Sequence, residues 1–272
     1  MNMDNAWLVF KKDWLEIKRN WQVLLPIIIL PLIFSIVFPV IIMVSANAPM
    51  QETGTQDFQS LILNLPSDVQ TQIAQMTPSQ IGVYIMVLYF FAPFFLIIPI
   101  MASSVLGSDS FAGERERKTI EALLATPLSD SELFIGKILV SFIPSMIITV
   151  VSFSIFAAVV DIITFGMFNG MLLLPNVSYL VMVFGVAPVI TLCSIGLTVI
   201  ISSKVKGFKE AQQISVVLLL PVLGLVFAQI SGLLILGPLV LVGLISIFAV
   251  ADIIIFYAGI KIFQREEILS KQ

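Results

Sequence analysis

The sequence predicts an all-α, polytopic membrane protein with six transmembrane helices and with both its N- and C-termini in the cytoplasm. Three observations lead to this prediction. Of the 272 residues, 58% are apolar and 11% are charged, whereas soluble domains carry about 25% charged residues. Six apolar stretches are each close to the ~20 residues that cross a bilayer core as a helix. The basic residues fall only in alternate segments between these stretches.

The composition also excludes several classes of protein. The net charge is −3, there is one cysteine, and histidine is absent. The apolar fraction excludes a soluble globule and a disordered chain, the small net charge excludes a nucleic-acid binder, and the single cysteine excludes a disulfide-stabilised scaffold. We therefore expect a multi-pass membrane protein with no nucleic-acid partner. Its expected location is the bacterial cell (inner or plasma) membrane, in contact with lipid.

The apolar stretches set the predicted spans. The last two come from an almost unbroken apolar sequence between Ala211 and Ile260, interrupted at Ser231-Gly232 and Gly237-Pro238. About fifty residues hold two spans and a tight turn, but not three spans. The six predicted spans are residues 22–44, 81–106, 133–160, 178–201, 213–230 and 238–260.

The basic residues predict the orientation, because lysine and arginine accumulate in short cytoplasmic segments. All 14 lie in four segments, and the intervening segments 45–80, 161–178 and 231–237 contain none. Both termini are therefore predicted to be cytoplasmic. The four groups are Lys11, Lys12, Lys18 and Arg19; Arg115, Arg117, Lys118 and Lys137; Lys204, Lys206 and Lys209; and Lys261, Arg265 and Lys271.

The first 21 residues predict an amphipathic helix that lies in the lipid headgroup layer. Its aromatic residues follow helical spacing on one face, and tryptophan favours the membrane interface. The helix would serve either as an anchor or as a lever that moves the first span. Ala46-Asn47-Ala48 resembles a signal-peptidase site, but the preceding apolar stretch is longer than the 7–15 residues of a signal peptide, so we expect it to be retained. The interfacial residues are Trp7, Phe10, Trp14, Ile17 and Trp21.

The outer loop, residues 45–80, carries acidic residues and no basic ones. Apolar residues at helical spacing on both sides of Pro66 predict two short amphipathic helices with a hinge there. The loop either caps a translocation path or lies on the membrane surface without a gating role.

The segment between the second and third spans is the most polar in the chain, since 107–137 holds ten of the 31 charged residues. We expect a cytoplasmic helix over 111–125 that ends at Thr126-Pro127, because proline disfavours helical geometry in the residue before it. Ser129 and Glu132 predict a capping box at the start of the third span. No phosphate-binding loop is recognisable, so another chain would have to hydrolyse any nucleotide.

Asp252 is the only ionisable residue deep in a predicted span. An aspartate near the centre of a membrane helix costs about 2.5–3.5 kcal/mol on insertion scales, and such a residue usually faces a helix bundle or a water-filled cavity. A purely structural role is the alternative. Because the chain has no histidine, intramembrane proteases that need a histidine are excluded. An aspartyl protease is not indicated either, since Val250-Ala251-Asp252 lacks the Gly-x-Gly-Asp motif of that class.

Residues 113–137, GERERKTIEALLATPLSDSELFIGK, resemble the first cytoplasmic loop of ABC-2 type transporter permeases, particularly the sodium-efflux-like (NatB-like) branch. Weaker similarities follow in order at Lys209–Gln212 and at Phe263–Leu269. The resemblance implies the transmembrane subunit of an ABC exporter, which works as two permease copies (a homodimer or a related heterodimer) with two ABC ATPase subunits. The ATPase would bind ATP and Mg, and this chain would bind no cofactor and would not be an enzyme.

In that family the helix of the first inner loop docks on the ATPase and couples it to the membrane domain. The resemblance assigns this role to eight residues, and it makes the N-terminal helix the connecting helix. Loop 45–80 is shorter than the outer domain of some relatives, which counts against sodium as substrate. We expect ATP-driven efflux of an amphiphilic, peptide or lipid-like substrate; the alternative is an ion-coupled secondary transporter or channel that uses Asp252. The coupling residues are Glu114, Arg115, Glu116, Thr119, Glu121, Leu124, Thr126 and Pro127.

Overall fold

A computed structural model describes residues 3–46, 67–119, 128–205, 207–231 and 236–262. Every regular element in these ranges is a helix, and the predicted all-α class is confirmed. Six helices are long and apolar enough to cross a membrane, which confirms the predicted number. We call them spans 1 to 6 in chain order. Their bounds are Trp21–Val44, Pro78–Glu116, Ser131–Thr164, Val177–Ser202, Phe208–Gln229 and Pro238–Tyr257.

The first four spans begin at polar residues that accept a hydrogen bond from a backbone amide of the first helical turn. Such caps satisfy amides that have no partner within the helix. The predicted capping box is confirmed: the Ser129 hydroxyl accepts from the amide of Glu132, and the Glu132 carboxylate accepts from the amide of Ser129. The four capping residues are Asn20, Thr77, Ser129 and Asn176.

Spans 2 and 4 form the centre of the bundle, and spans 5 and 6 lie at its edge. The most apolar segment of span 2 is 67% buried, and that of span 6 is 6% buried. Spans 2 and 4 approach closely because their facing residues are small. A Cβ added at Gly107 would lie 3.1 Å from Thr198 Cγ2, and the Ser194 hydroxyl donates to the carbonyl of Ile100 at 3.2 Å.

An aromatic cluster fills the half of the core next to the first turns of spans 2 and 4. Tyr179 in span 4 is fully buried, and its ring stacks on Phe153 of span 3 with centroids 5.6 Å apart. Its hydroxyl donates to the carbonyl of Val87 in span 2 at 2.6 Å. A buried tyrosine hydroxyl needs such a partner, and this bond joins spans 2 and 4 at that level.

The N-terminal helix, Met3–Ile17, packs lengthwise on the start of span 3. The predicted interfacial face shares only Ile17 with the buried stripe of this helix: Phe10 and Trp14 are partly buried, and Trp7 is 45% exposed. Gly136 makes the contact possible, because an added Cβ there would lie 2.6 Å from Val9 Cβ. Trp7, and Trp21 at the start of span 1, lie at the surface, and their contact with lipid remains a prediction. The buried stripe consists of Ala6, Val9, Asp13 and Ile17.

Only the last part of the outer loop is among the described residues. A short helix, Ser67–Ile73, follows Pro66, and Ile73 packs against Ile85 near the start of span 2. The first of the two predicted loop helices falls in 47–66, outside the described residues.

Candidate functional site

A tight turn ends span 2 and forms the centre of the candidate site. The amide of Lys118 donates to the carbonyl of Arg115 at 3.1 Å, and the amide of Thr119 donates to the carbonyl of Glu114 at 3.0 Å. These two hydrogen bonds define a Schellman motif. Lys118 has the left-handed φ of 57° that this motif requires, at the position that glycine usually occupies. The helix therefore stops at Glu116.

This turn corrects the expected helix over 111–125. Residues 111–116 are the last part of span 2, and the motif described above ends the helix well before Thr126-Pro127. Four of the eight predicted coupling residues lie in 120–127, outside the described residues, and their role remains a prediction. These four are Glu121, Leu124, Thr126 and Pro127.

The carboxylate of Glu114 lies inside the protein and accepts from two lysines. Its Oε2 accepts from Lys137 Nζ of span 3 at 2.5 Å, and its Oε1 accepts from Lys12 Nζ of the N-terminal helix at 2.5 Å. The Glu114 side chain is 1% exposed and that of Lys137 is 0% exposed. Glu114 therefore joins three elements that are far apart in the sequence.

Asp13 completes this arrangement from the N-terminal helix. Its Oδ2 lies 3.5 Å from Lys137 Nζ and accepts from the Ser110 hydroxyl at 2.9 Å. Lys137 also donates to the carbonyl of Ser110 at 2.5 Å. We call Lys12, Asp13, Glu114 and Lys137 the buried charge cluster. Its two positive and two negative charges balance, and this balance with the additional hydrogen bonds offsets the cost of removing ions from water.

The electrostatic environment keeps the two N-terminal members ionised. Burial alone would raise the pKa of Asp13, but the positive charges of Lys137 and Lys12 and the bond from Ser110 hold that pKa below its ordinary value. Burial alone would lower the pKa of Lys12, but Asp13 and Glu114 hold it above its ordinary value. Each residue therefore favours the charged form of the other.

Arg117 adds a second, more exposed set of contacts around the cluster. Its guanidinium donates to Asp109 at 2.9 Å and lies 3.8 Å from Glu16 of the N-terminal helix. Asn20 donates to the same Asp109 oxygen at 3.4 Å. The guanidinium is partly buried, which would lower its pKa, but the bond to Asp109 holds the pKa of Arg117 above its ordinary value. These contacts bind the turn to the junction between the N-terminal helix and span 1.

The next two residues of the turn reach the other side of the bundle. Arg115 donates to the carbonyls of Ser202 and Ser203 at the end of span 4, each at 3.2 Å. Glu116 accepts from the amide of Phe208, the first residue of span 5, at 2.8 Å. A carboxylate at a helix N-terminus is favourable because it meets unpaired amides and the positive end of the helix dipole.

Three consecutive side chains thus contact four other elements: the N-terminal helix and spans 3, 4 and 5. The family resemblance assigned Glu114, Arg115 and Glu116 to an external partner, and the structure shows all three in contacts within the chain. Thr119 is exposed beyond them, with its hydroxyl donating to the Glu114 carbonyl at 3.3 Å.

Sequence reasoning missed Asp13 and Lys137 as site residues. Lys137 was counted with the basic residues of the inner loop, although it lies inside the predicted span 133–160. A lysine within a span was the one available signal, since intramembrane cations require a partner. Asp13 gave no comparable signal, because the aromatic spacing drew attention to another face of its helix.

Three carboxylates in this region could in principle hold a metal ion, since Asp13, Glu16 and Glu114 present oxygens within 4.8 Å of one another. Lys12 Nζ lies among them, 3.1 Å from Asp13, 3.3 Å from Glu16 and 2.5 Å from Glu114. The ammonium group of Lys12 thus occupies the position that a metal ion would need.

Asp252 lies apart from the buried charge cluster, on the face of span 6 that packs against span 4. It lines a cavity of about 350 Å³ together with residues of both spans. The Cys193 side chain of span 4 lies against its carboxyl group, and its Oδ1 is buried without a hydrogen-bond partner among the described residues. A larger cavity of about 590 Å³, next to Tyr84 and Asn176, lies at the opposite end of the bundle.

A family model described as "ABC-2 family transporter protein" matches residues 7–240. This match covers the N-terminal helix, the turn after span 2 and the first five spans. The search of curated proteins found no match.

Proposed function

Since the chain belongs to the ABC-2 transporter family and is a multi-pass transmembrane subunit of an ABC transporter, we propose that a separate cytoplasmic ATPase drives it to export an amphiphilic, peptide or lipid-like substrate. ATP and Mg²⁺ are bound by that ATPase and not by this chain. The membrane is the inner or plasma membrane of a bacterium, with the buried charge cluster at its cytoplasmic side.

The observation that carries the proposal is the set of contacts made by Glu114, Arg115 and Glu116. A partner that displaced the turn would displace four further elements with it, because each is tied to the turn by a hydrogen bond or an ion pair. Coupling through packed and bonded elements is the physical means by which a local push moves a helix bundle.

The coupling segment divides into two parts, before and from Thr119. Glu114, Arg115 and Glu116 hold the turn to the membrane domain. Contact with the ATPase falls to the exposed Thr119 and to the segment that follows it, with Glu121, Leu124 and Thr126-Pro127. This division assigns the transmission of force to the first part and the recognition of the partner to the second.

The complete transporter contains two permease copies, identical or related, and two ATPase subunits. ATP binding closes the ATPase pair, the paired turns move with it, and the spans rearrange between inward-open and outward-open states. The path runs between the two copies. Such a mechanism needs two states of similar free energy, each favoured by a different state of the ATPase.

A single-cysteine cross-linking experiment tests the partner. The chain has one cysteine, so Thr119→Cys in a Cys193→Ser background gives one exposed thiol on the turn. We expect this variant to cross-link to a co-expressed ABC ATPase from the same genome. The matched control is Gln75→Cys, exposed at the opposite end of span 2, which should not cross-link. Equal cross-linking from both positions, or none from Thr119→Cys, would contradict the proposal.

Ion-coupled secondary transport or a channel is the second candidate, because Asp252 faces a cavity. Against this function, Asp252 offers one carboxylate, which is too few ligands for an ion such as Ca²⁺ that takes six to eight oxygens. Proteoliposomes that contain the chain alone separate the two functions. The secondary transporter moves substrate under an ion gradient without ATPase, whereas the ABC permease does so only with ATPase and ATP.

A further inference from the structure

Asp252 and its cavity have no part in the coupling contacts described above. The cavity lies between spans 4 and 6, and its volume of about 350 Å³ falls within the range of small-molecule sites. Apart from the carboxyl group, its lining is apolar or aromatic. The lining residues are Leu192, Gly196, Ile253, Ile255, Phe256 and Tyr257.

The cavity opens to the outer surface of the helix bundle and not toward its centre. Ile253 is 72% exposed and Tyr257 is 80% exposed, on the span with the least buried apolar segment. The helix of span 6 continues to Ile262, ten residues or about 15 Å along its axis beyond Asp252. An amphiphile within the bilayer can therefore reach the carboxyl group laterally, through the space between spans 4 and 6.

No positive charge within the described residues pairs with Asp252. The facing span 4, residues 177–202, contains no charged residue. Span 3 also packs against this part of span 6, where Phe134 contacts Phe256 with ring centroids 5.5 Å apart. The lysine of span 3, Lys137, lies one helical turn from Phe134. Lys137 is fully buried in its own ion pairs. The carboxyl group thus keeps one buried oxygen without a hydrogen-bond partner.

An unpaired carboxylate in hydrocarbon surroundings is costly, and a cation is the group that compensates it. A single carboxylate does not suit Ca²⁺, which takes six to eight oxygen ligands. It does suit one organic cation whose other contacts are apolar. Phe256 lies one helical turn from Asp252 and Tyr257 follows it, and aromatic faces attract alkylammonium and similar cations.

We propose that Asp252, Phe256 and Tyr257 form a binding site for an amphiphilic organic monocation that enters from the bilayer between spans 4 and 6. The cationic group pairs with the carboxylate and the aromatic rings, and the apolar body fills the remainder of the cavity. This inference does not depend on ATP-driven export, since it concerns equilibrium binding to the permease alone.

The test uses two probes of the same size and shape and of opposite charge. Tetraphenylphosphonium and tetraphenylborate are each measured alone by equilibrium binding to the full-length protein in nanodiscs, with empty nanodiscs subtracted. We expect saturable binding of the cation only. Asp252→Asn should weaken it by about tenfold or more, because the charge pair is removed in partly desolvated surroundings.

Two further variants separate loss of charge from loss of fold. Asp252→Glu keeps the charge and should retain saturable binding, and Ser246→Ala, exposed on the same span, should bind as the wild type does. Binding of both probes alike, or unchanged cation binding in Asp252→Asn, would overturn the proposal, as would loss of binding in Ser246→Ala.

The natural cation is either a lipid headgroup or a compound dissolved in the membrane. Nanodiscs of phosphatidylglycerol alone, and with phosphatidylethanolamine added, distinguish these sources. Weaker probe binding in the presence of the ammonium headgroup identifies the lipid, and unchanged binding identifies a dissolved cation. Both results support the site, and neither bears on the cross-linking to the ATPase.

Discussion

Lys137 Nζ lies 2.5 Å from Glu114 Oε2, and both side chains are almost completely removed from solvent. The two residues are 23 positions apart, on either side of the loop that connects spans 2 and 3. Their ion pair therefore closes the base of this loop. A force applied to the loop passes to both spans and, through Asp13, to the N-terminal helix.

Loss of Lys137 should be strongly destabilising. Lys137→Met leaves Glu114 and Asp13 with Lys12 as the only positive charge of the cluster, and breaking a buried pair costs about 3–5 kcal/mol. Thermal unfolding of the purified protein in nanodiscs measures the effect. Lys204→Met, at an exposed lysine, is the matched control and should shift the free energy of unfolding by less than about 0.5 kcal/mol.

Removing both partners of this pair should be less harmful than removing the lysine alone. In Lys137→Met with Glu114→Gln, the cluster keeps Lys12 and Asp13, whose charges balance. We therefore expect the double variant to unfold at a higher temperature than Lys137→Met. If the double variant lost at least as much stability as the two single variants added together, charge balance would not be what stabilises this region.

The stability of the N-terminal contact should depend on pH at the acid end. The pKa of Asp13 in the folded protein is below its ordinary value of 3.8, so its contribution is present above pH 3.8 and is lost as the pH falls through the lower, folded value. Asp13→Asn should have a shallower decrease in unfolding temperature below that pH. Identical slopes for the two proteins would contradict this assignment.

The same linkage gives an alkaline limit of the opposite sign. The pKa of Lys12 is above its ordinary value of 10.5, so its contribution is complete below pH 10.5 and is lost as the pH rises through the higher, folded value. Between the two limits these groups predict no change in unfolding temperature. Lys12→Gln should flatten the alkaline limb, measured in the same nanodiscs.

Glu116 and Gly207 should act as one unit at the start of span 5. Glu116→Ala leaves the amide of Phe208 without its acceptor, and the loss of a helix cap costs about 1 kcal/mol. Gly207→Ala would place a Cβ 2.6 Å from Glu116 Oε2 and displace the same carboxylate. The two substitutions together should therefore cost less than the sum of their separate effects, measured as free energies of unfolding. Additive effects would contradict a shared contact.

Gly136 should be required for the N-terminal helix to dock on span 3. Gly136→Ala introduces a Cβ 2.6 Å from Val9 Cβ and 2.8 Å from the carbonyl oxygen of Ala6, and a backbone atom cannot move aside easily. We expect faster hydrogen exchange over residues 3–17. Gly224→Ala, where an added Cβ meets nothing within 4 Å, is the matched control, and similar exchange in both variants would contradict the proposed packing.

The sequence predicted the helical class and the number of spans because hydrophobic length and charge alternation are local properties. It also predicted the capping box at Ser129 and Glu132, which depends on residues three apart. It did not predict that the helix ends at Glu116, because the left-handed conformation at Lys118 is uncommon for a lysine and has no local sequence signal.

The charge cluster could not be predicted for a different reason. Asp13 and Lys137 are 124 positions apart, and each lies at the edge of an apolar segment, where a charged residue is ordinarily solvated. Their burial follows from the close contact at Gly136, which is a property of the assembled helices. The family resemblance drew attention to Glu114, Arg115 and Glu116, but nothing in their local sequence indicates contacts within the chain.

We infer that the buried charge cluster transmits the motion of the ATPase to the spans. The most direct test measures the distance between spin labels at Gly166→Cys and Ser231→Cys, which lie just beyond the ends of spans 3 and 5, in a Cys193→Ser transporter with its ATPase before and after ATP is added. We expect the distance to change in this background and in Lys204→Met. We expect no change in Lys137→Met with Glu114→Gln, although the ATPase still binds. A double variant that responds to ATP as fully as its background would contradict the claim.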